Sequence, residues 1–293
     1  MGGNRLHDRP DRDLRQSVTA GHSRGYHFDG GNVLYIRILG VLEIQTEERS
    51  VRLRGALQSR LLLTLLINSG QLVMTDDLIG ELWPDTQPDR VENALQAHVS
   101  RLRSRLATLE PDRAAPRLVT HTSGYQLLVA PEELDSEVFS RNLERIRESR
   151  DYAPEVAVQE LRSCLDEWRG PVLGGVGGGP IFEAAAVRYE ELRLCALELL
   201  FDLELQVGHH ALLVPELRQL LTKYPFHERF WQQLITALYR CGRQTEALVV
   251  YRELWKRLTD EFGLEPTPAM QEYERAILER DTSLNVSALA LGR

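Results

Sequence analysis

The chain has 293 residues and a formal net charge of −8, with 43% hydrophobic and 27% charged residues; at roughly 150 residues per domain this predicts two globular domains and excludes collagen, a coiled-coil rod and wholesale disorder. No apolar run reaches the ~18 residues of a membrane span and no apolar stretch opens the chain, so neither a membrane protein nor a secreted one is expected, and three cysteines without a C-x-x-C pair fit a reducing cytoplasm. Divided after residue 130, the charge becomes +1 and −9, so the acidity that would argue against a nucleic-acid partner belongs wholly to the C-terminal part.

Residues 1–32 are polar and glycine-punctuated and predict a disordered extension. From 33 to 54, alternation through Val33–Leu39, a break at Gly40, Val41–Ile44, a polar turn and Val51–Leu53 predict strands. The period then changes. Leu57, Leu61, Leu62, Leu65 and Leu66 predict a helix stopping near Gly70. After the strand-like Gln71–Val73, Thr75 is the expected N-cap of a second helix, with Met74 and Ile79 stapled across it, ending at Trp83–Pro84. Pro88 is the expected first residue of a third helix running to about Leu109. Arg117–Val129 alternates around Ser123–Gly124 and predicts a hairpin.

On the third helix, at about 100° per residue, Leu95, Val99, Leu102 and Leu106 form one stripe. The opposite face carries Arg90, Asn93, Ala97, Ser100, Arg101 and Ser104, flanked by Arg103 and Arg105. Small, hydrogen-bonding and basic side chains on one helix face suit base edges in a major groove, and the Glu/Lys pairs of an ordinary solvated helix are missing there. These eight residues are the expected reading face. Thr120, His121, Thr122 and Ser123 are the expected wing contacts, with Tyr125 plugging back onto the core; His121 suits either a phosphate contact or a partly buried sheet position.

From 135 to 280 helical periodicity dominates, with helices expected near 136–150, 154–168, 181–207, 211–223, 227–241, 243–262 and 268–280, and a tail at 281–293. Gly208 and Gly242 stand 34 residues apart, and at that offset Leu200 meets Leu234, Leu213 meets Ala247, Leu217 meets Tyr251 and Leu220 meets Leu254. A 34-residue period of helix pairs is the tetratricopeptide pattern, here degenerate. No enzyme is expected. Gly174–Gly179 lacks the Lys-Ser/Thr of a phosphate-binding loop, and adjacent His209 and His210 do not share a helix face. Neither a metal nor another cofactor is expected, and Cys164, Cys195 and Cys241 read as core.

Strands, three helices and a hairpin are the order of a winged helix, and 33–130 resembles the DNA-binding domain of OmpR-type response regulators through Leu78-Ile79-Gly80-Glu81-Leu82-Trp83, Val99-Ser100-Arg101-Leu102-Arg103 and Ser123-Gly124-Tyr125. No receiver domain precedes it, so control by aspartyl phosphorylation is not expected. Adding Asn93-Ala94-Leu95-Gln96, Trp168-Arg169-Gly170-Pro171, Tyr239–Leu248 and Leu264-Glu265-Pro266, the chain resembles the SARP family, the Streptomyces antibiotic regulatory proteins, over about 33–280. The glycine-rich Gly174–Gly179 departs from that pattern. The resemblance implies a mainly α protein: an OmpR-like α+β winged helix-turn-helix at 33–130 and an all-α, TPR-like bacterial transcriptional activation domain at 135–280, with no appended ATPase or sensor domain. It further implies a cytoplasmic, pathway-specific activator of antibiotic or secondary-metabolite genes. Two copies would lie side by side on direct repeats of double-stranded DNA near a promoter −35 region. They would recruit RNA polymerase holoenzyme through the sigma factor and core subunits. The competing reading is a TPR-type interaction or ligand-sensing repressor that uses the winged helix only for docking, with Trp231, Tyr239, Tyr251 and Trp255 as pocket or as core.

Overall fold

The computed structural model describes residues 34–51, 53, 55–148 and 153–281. The expected N-terminal extension and all but the first residue of the expected C-terminal tail lie outside the described residues.

The chain opens with an antiparallel sheet, β1 (Tyr35–Arg37), β2 (Glu43–Gln45) and β3 (Ser50–Val51), with Ile36 opposite Ile44 and Ile44 opposite Val51. Side-chain alternation sends Ile36 and Ile44 into the core, both essentially inaccessible. Three helices follow: α1 (Ala56–Ile67), α2 (Thr75–Leu82) and α3 (Val91–Leu109). Strand β4 (Leu72–Met74) joins β5 (Leu118–His121) and β6 (Gly124–Leu127) in a second antiparallel sheet ordered β4-β6-β5. This is the expected winged helix, its core filled by Leu61–Leu63, Leu78, Leu95, Leu102 and Leu118, with Tyr125 buried as expected.

Seven helices complete the described chain: α4 (Asp135–Glu148), α5 (Pro154–Leu165), α6 (Pro180–Gln206), α7 (His210–Lys223), α8 (Glu228–Arg240), α9 (Gln244–Phe262) and α10 (Pro268–Glu279). Of the residues paired by the 34-residue offset, all but Leu220 are buried. Trp231 and Tyr251 belong to this core, whereas Tyr239 and Trp255 pack against it half-buried.

Two helix starts within the winged helix differ from expectation. Thr75 is the first residue of α2 rather than its cap; its N–H and hydroxyl both donate to the Ser123 carbonyl, at 3.0 and 3.3 Å, and Met74 remains extended and 44% exposed. Helix α3 begins at Val91, three residues after Pro88. Residues 84–90 are all exposed, so nothing holds a helical turn there, and Val91 is the first residue to touch the core. Cys195 is exposed rather than core, while Cys164 and Cys241 are half-buried.

The two parts are joined by buried polar contacts. Asp135, at the start of α4, accepts from Ile38 N–H (2.9 and 3.0 Å) and Leu39 N–H (3.0 Å) beyond the end of β1. Glu81 of α2 is 2% exposed and accepts from the backbone N–H groups of Gly179 (2.8 Å), Ile181 (2.6 Å) and Phe182 (3.4 Å), capping α6. Two glycines of the run now have a reason. A Cβ on Gly179 would lie 2.9 Å from a Glu81 oxygen, and one on Gly178 would lie 2.5 Å from the Phe182 ring.

Candidate DNA interface

Helix α3 buries Leu95, Val99, Leu102, Leu106 and Leu109 along one side. Its opposite side is open: Asn93, Ser100, Arg101 and Ser104 are exposed and Ala97 is half-buried. Arg90 is exposed in the turn just before the helix. Among the described residues Asn93 and Arg101 have no side-chain hydrogen bond or ion pair, so their donors and acceptors are available to a ligand. Ser104 returns its hydroxyl proton to the Ser100 carbonyl at 3.1 Å, leaving its oxygen as an acceptor.

The two flanking arginines are half-buried. The Arg103 guanidinium turns onto the hairpin, where Nε donates to the Leu118 carbonyl at 2.9 Å and Nη2 donates to the Thr120 hydroxyl. It therefore fixes the angle between helix and wing, and it occupies the Thr120 hydroxyl. His121 is exposed, its Nε2 2.9 Å from Gln126 Oε1, and Gln126 in turn donates to the Gly70 carbonyl. The partly buried alternative for His121 is thus excluded. Thr122 and Ser123 form the exposed tip.

Further residues hold this surface and were not singled out by pattern. Gln58 of α1, 5% exposed, donates through its amide to His98 Nδ1 (2.9 Å) and to the His98 carbonyl (3.1 Å). Burial, then the Arg101 charge, lowers the His98 pKa, so this ring stays a neutral acceptor at neutral pH. Trp83 meets the same ring edge-on at 6.1 Å. At the other end, Arg117 is 4% exposed and pairs with Glu110 after α3 and with Glu133 before α4, the latter at 2.7 and 2.6 Å. This triad ties the end of α3 to the hairpin and to the connection between the two parts. Glu110 and Glu133 reveal themselves only when distant segments meet, so periodicity offers no signal for them.

An exposed, hydrogen-bonding helix face beside a pinned hairpin, followed by stacked helix pairs, is the architecture of a winged helix joined to a helical-repeat part. Residues 49–127 match the family described as transcriptional regulatory protein, C terminal, and 134–278 match the bacterial transcriptional activator domain. The chain is 38% identical over 262 residues to transcriptional regulator RedD of Streptomyces coelicolor, covering 89% of this chain and 74% of RedD. It is 31% identical to regulatory protein DnrI of Streptomyces peucetius, covering 86% of this chain and 94% of DnrI. The solved structure of Mycobacterium tuberculosis EmbR in complex with a low-affinity phosphopeptide superposes with a TM-score of 0.75 at 29% identity, covering 84% of this chain and 65% of that one. The chain belongs to the SARP family of transcriptional regulators, a family of regulators and not of enzymes.

Among the described residues no group of histidine, cysteine or acidic side chains has metal-site geometry, and no helix is long and apolar enough to cross a membrane. A cleft of about 860 Å³ lies between α4, α5, α6 and α7, lined by Asn142, Arg145, Arg162, Cys164, Glu204 and His209. Its cations are already engaged: Arg145 pairs with Glu160, and Arg162 with Glu204 and Glu216.

Proposed function

We propose that this chain is a pathway-specific transcriptional activator of antibiotic or secondary-metabolite genes, working in the cytoplasm at the nucleoid. Residues 33–130 read double-stranded DNA, and 135–280 carry the contacts to RNA polymerase holoenzyme, through the sigma factor and core subunits. Direct repeats near the −35 element, one helical turn apart, would seat two copies head to tail on one DNA face. The single observation carrying the DNA-binding part is the open α3 face, where Asn93 and Arg101 project without an internal partner. Arg90, Ala97, Ser100 and Ser104 complete the reading surface. Arg103 and Arg105 flank it, with Thr122, Ser123 and His121 at the wing and Thr120 held by Arg103.

The near-neutral charge of the first 130 residues supports weak solitary binding with a shallow salt dependence, since few phosphates are neutralised. A neighbouring copy and polymerase would supply the remaining affinity. Asn93→Ala and Arg101→Ala are expected to weaken operator binding by roughly 1–3 kcal/mol each while sparing random DNA. Footprinting and titration on both DNAs check this. Equal loss on random DNA would reassign the two residues to phosphate, and no change on either would remove α3 from the interface. Footprints over a direct repeat, with and without holoenzyme, test the arrangement of copies. The engaged arginines of the α4–α7 cleft favour this reading over a ligand-gated repressor.

A further inference from the structure

Behind the open face of α3, one buried amide decides where a ring carries its proton. The side-chain nitrogen of Gln58 in α1, a residue only 5% exposed, lies 3.1 Å from the His98 carbonyl oxygen and 2.9 Å from His98 Nδ1. A carbonyl oxygen only accepts, so the amide turns its NH2 end to His98, and the second hydrogen of that nitrogen is directed at Nδ1. Nδ1 therefore offers its lone pair, and the neutral ring carries its proton on Nε2. Trp83, just after α2, packs edge-on against the same ring at 6.1 Å, so His98 is held from two other elements. Burial, then the one charge that acts on the ring, that of Arg101, keeps it neutral. Nε2 has no partner among the described residues and is open to solvent.

At about 100° per residue, His98 stands about 60° round α3 from Leu95, between the buried stripe and Arg101, on a flank that Arg105 continues. A helix seated in a major groove turns one face to the base edges and its flanks to the phosphate strands. A donor on this flank meets a phosphate oxygen. We propose that Gln58 is a positioning residue of the DNA interface: by fixing His98 as the Nε2–H tautomer, it makes the ring a donor to a backbone phosphate. With the opposite tautomer the ring would turn a lone pair toward an anion. A neutral donor also displaces no counterion, in keeping with the near-neutral charge of the first 130 residues. The role of Gln58 deepens the DNA-binding reading and rests on it, since it requires α3 to lie in the groove.

The experiment uses full-length protein throughout. NMR of protein labelled at the histidine nitrogens, with His98→Ala assigning the signal, reads the tautomer without DNA and without altering Gln58. A protonated Nε2 and bare Nδ1 are expected; the reverse overturns the proposal. Titrations then compare operator and random DNA. His98→Ala should weaken both by about tenfold, the worth of one hydrogen bond to a charged group, because phosphates are common to both. Its log–log salt plot should run parallel to that of the parent protein. A loss confined to the operator would make His98 a base contact and refute the phosphate. Gln58→Glu supplies the readout that a merely structural role would not move. A carboxylate at this position accepts from Nδ1–H, so the neutral ring is left with a lone pair on Nε2, whereas the imidazolium still donates. Between about pH 6 and about pH 8.5 the parent should bind DNA with an affinity constant to within about twofold, while Gln58→Glu should lose about tenfold as the ring gives up its proton. An equal loss at every pH would reduce Gln58 to a packing residue. If Arg101→Ala loses operator binding and His98→Ala does not, the phosphate contact fails while α3 stays in the groove. If neither variant loses binding, the placement of α3 fails with it.

Discussion

Asp135 is a carboxylate placed where water cannot reach it, 2% exposed at the junction of sheet and helix. Burial raises its pKa from an ordinary 3.8 to about 6, opposed by the N–H groups of Ile38 and Leu39 and by the charge of Arg169. The sign follows from linkage. Between about pH 4 and 6 the folded chain holds this proton while the unfolded chain has released it, so this group's contribution to stability falls as pH rises through that window. Asp135→Asn should flatten that segment of the stability–pH curve, as read by denaturant unfolding at each pH; an unchanged slope would exclude Asp135 as its source. Asp135→Ala strips the acceptors from two N–H groups in fully buried residues and should cost about 2–4 kcal/mol. The sequence marked this position only as the point where helical periodicity sets in, with a helix expected near 136–150. The helix starts one residue earlier because the side chain is anchored there.

Elements were legible where one face is buried and one is wet, and obscure where a contact crosses between segments. The α3 stripe could be read directly, because Leu95, Val99, Leu102 and Leu106 recur at helical spacing. The tie from Arg103 to the wing could not, because its partners, the Leu118 carbonyl and the Thr120 hydroxyl, lie 15 and 17 residues away on another element. Gly124 shows the same division. A glycine at a hairpin turn suggests freedom of backbone angles, yet here it opens β6 and lies flat against β4. A Cβ there would sit 2.0 Å from the Val73 carbonyl oxygen, inside any van der Waals contact. Gly124→Ala must therefore push β4 and β6 apart, with an expected loss of about 2–3 kcal/mol and faster amide exchange across β5 and β6. Wild-type exchange in the hairpin would show that the strands absorb the methyl without opening. Arg103→Ala acts differently. It frees the wing from the helix without touching the core, so operator and random DNA should both bind more weakly, by about 1 kcal/mol. A loss confined to the operator would make Arg103 a base contact instead.

At the scale of the whole molecule, the winged helix and the helical part share buried surface, which makes their relative placement part of the fold. Glu81 is the clearest case. Its carboxylate satisfies the first N–H groups of α6, a helix that begins about a hundred residues later in the chain, and it adds a negative charge at the positive end of that helix. The sequence displayed both partners separately: Glu81 within a winged-helix motif, and Gly174–Gly179 as an apparent departure from the family. The glycines belong to the contact, since Gly179 leaves room for the carboxylate and Gly178 for the Phe182 ring. Glu81→Ala leaves three backbone donors without an acceptor at a buried boundary, and it should cost on the order of 2–4 kcal/mol. That boundary lies within a hydrophobic core continuous through both parts, and the loss should appear as decoupling. The parent protein should melt in one calorimetric transition, and the variant in two, with α6 amides exchanging faster and α3 amides protected as before. Gly179→Ala should do the same more mildly, by pressing on the carboxylate from the other side. If Glu81→Ala still melts in one transition at an unchanged midpoint, the apolar contacts of α6 with α1 and α2 hold the two parts together without it.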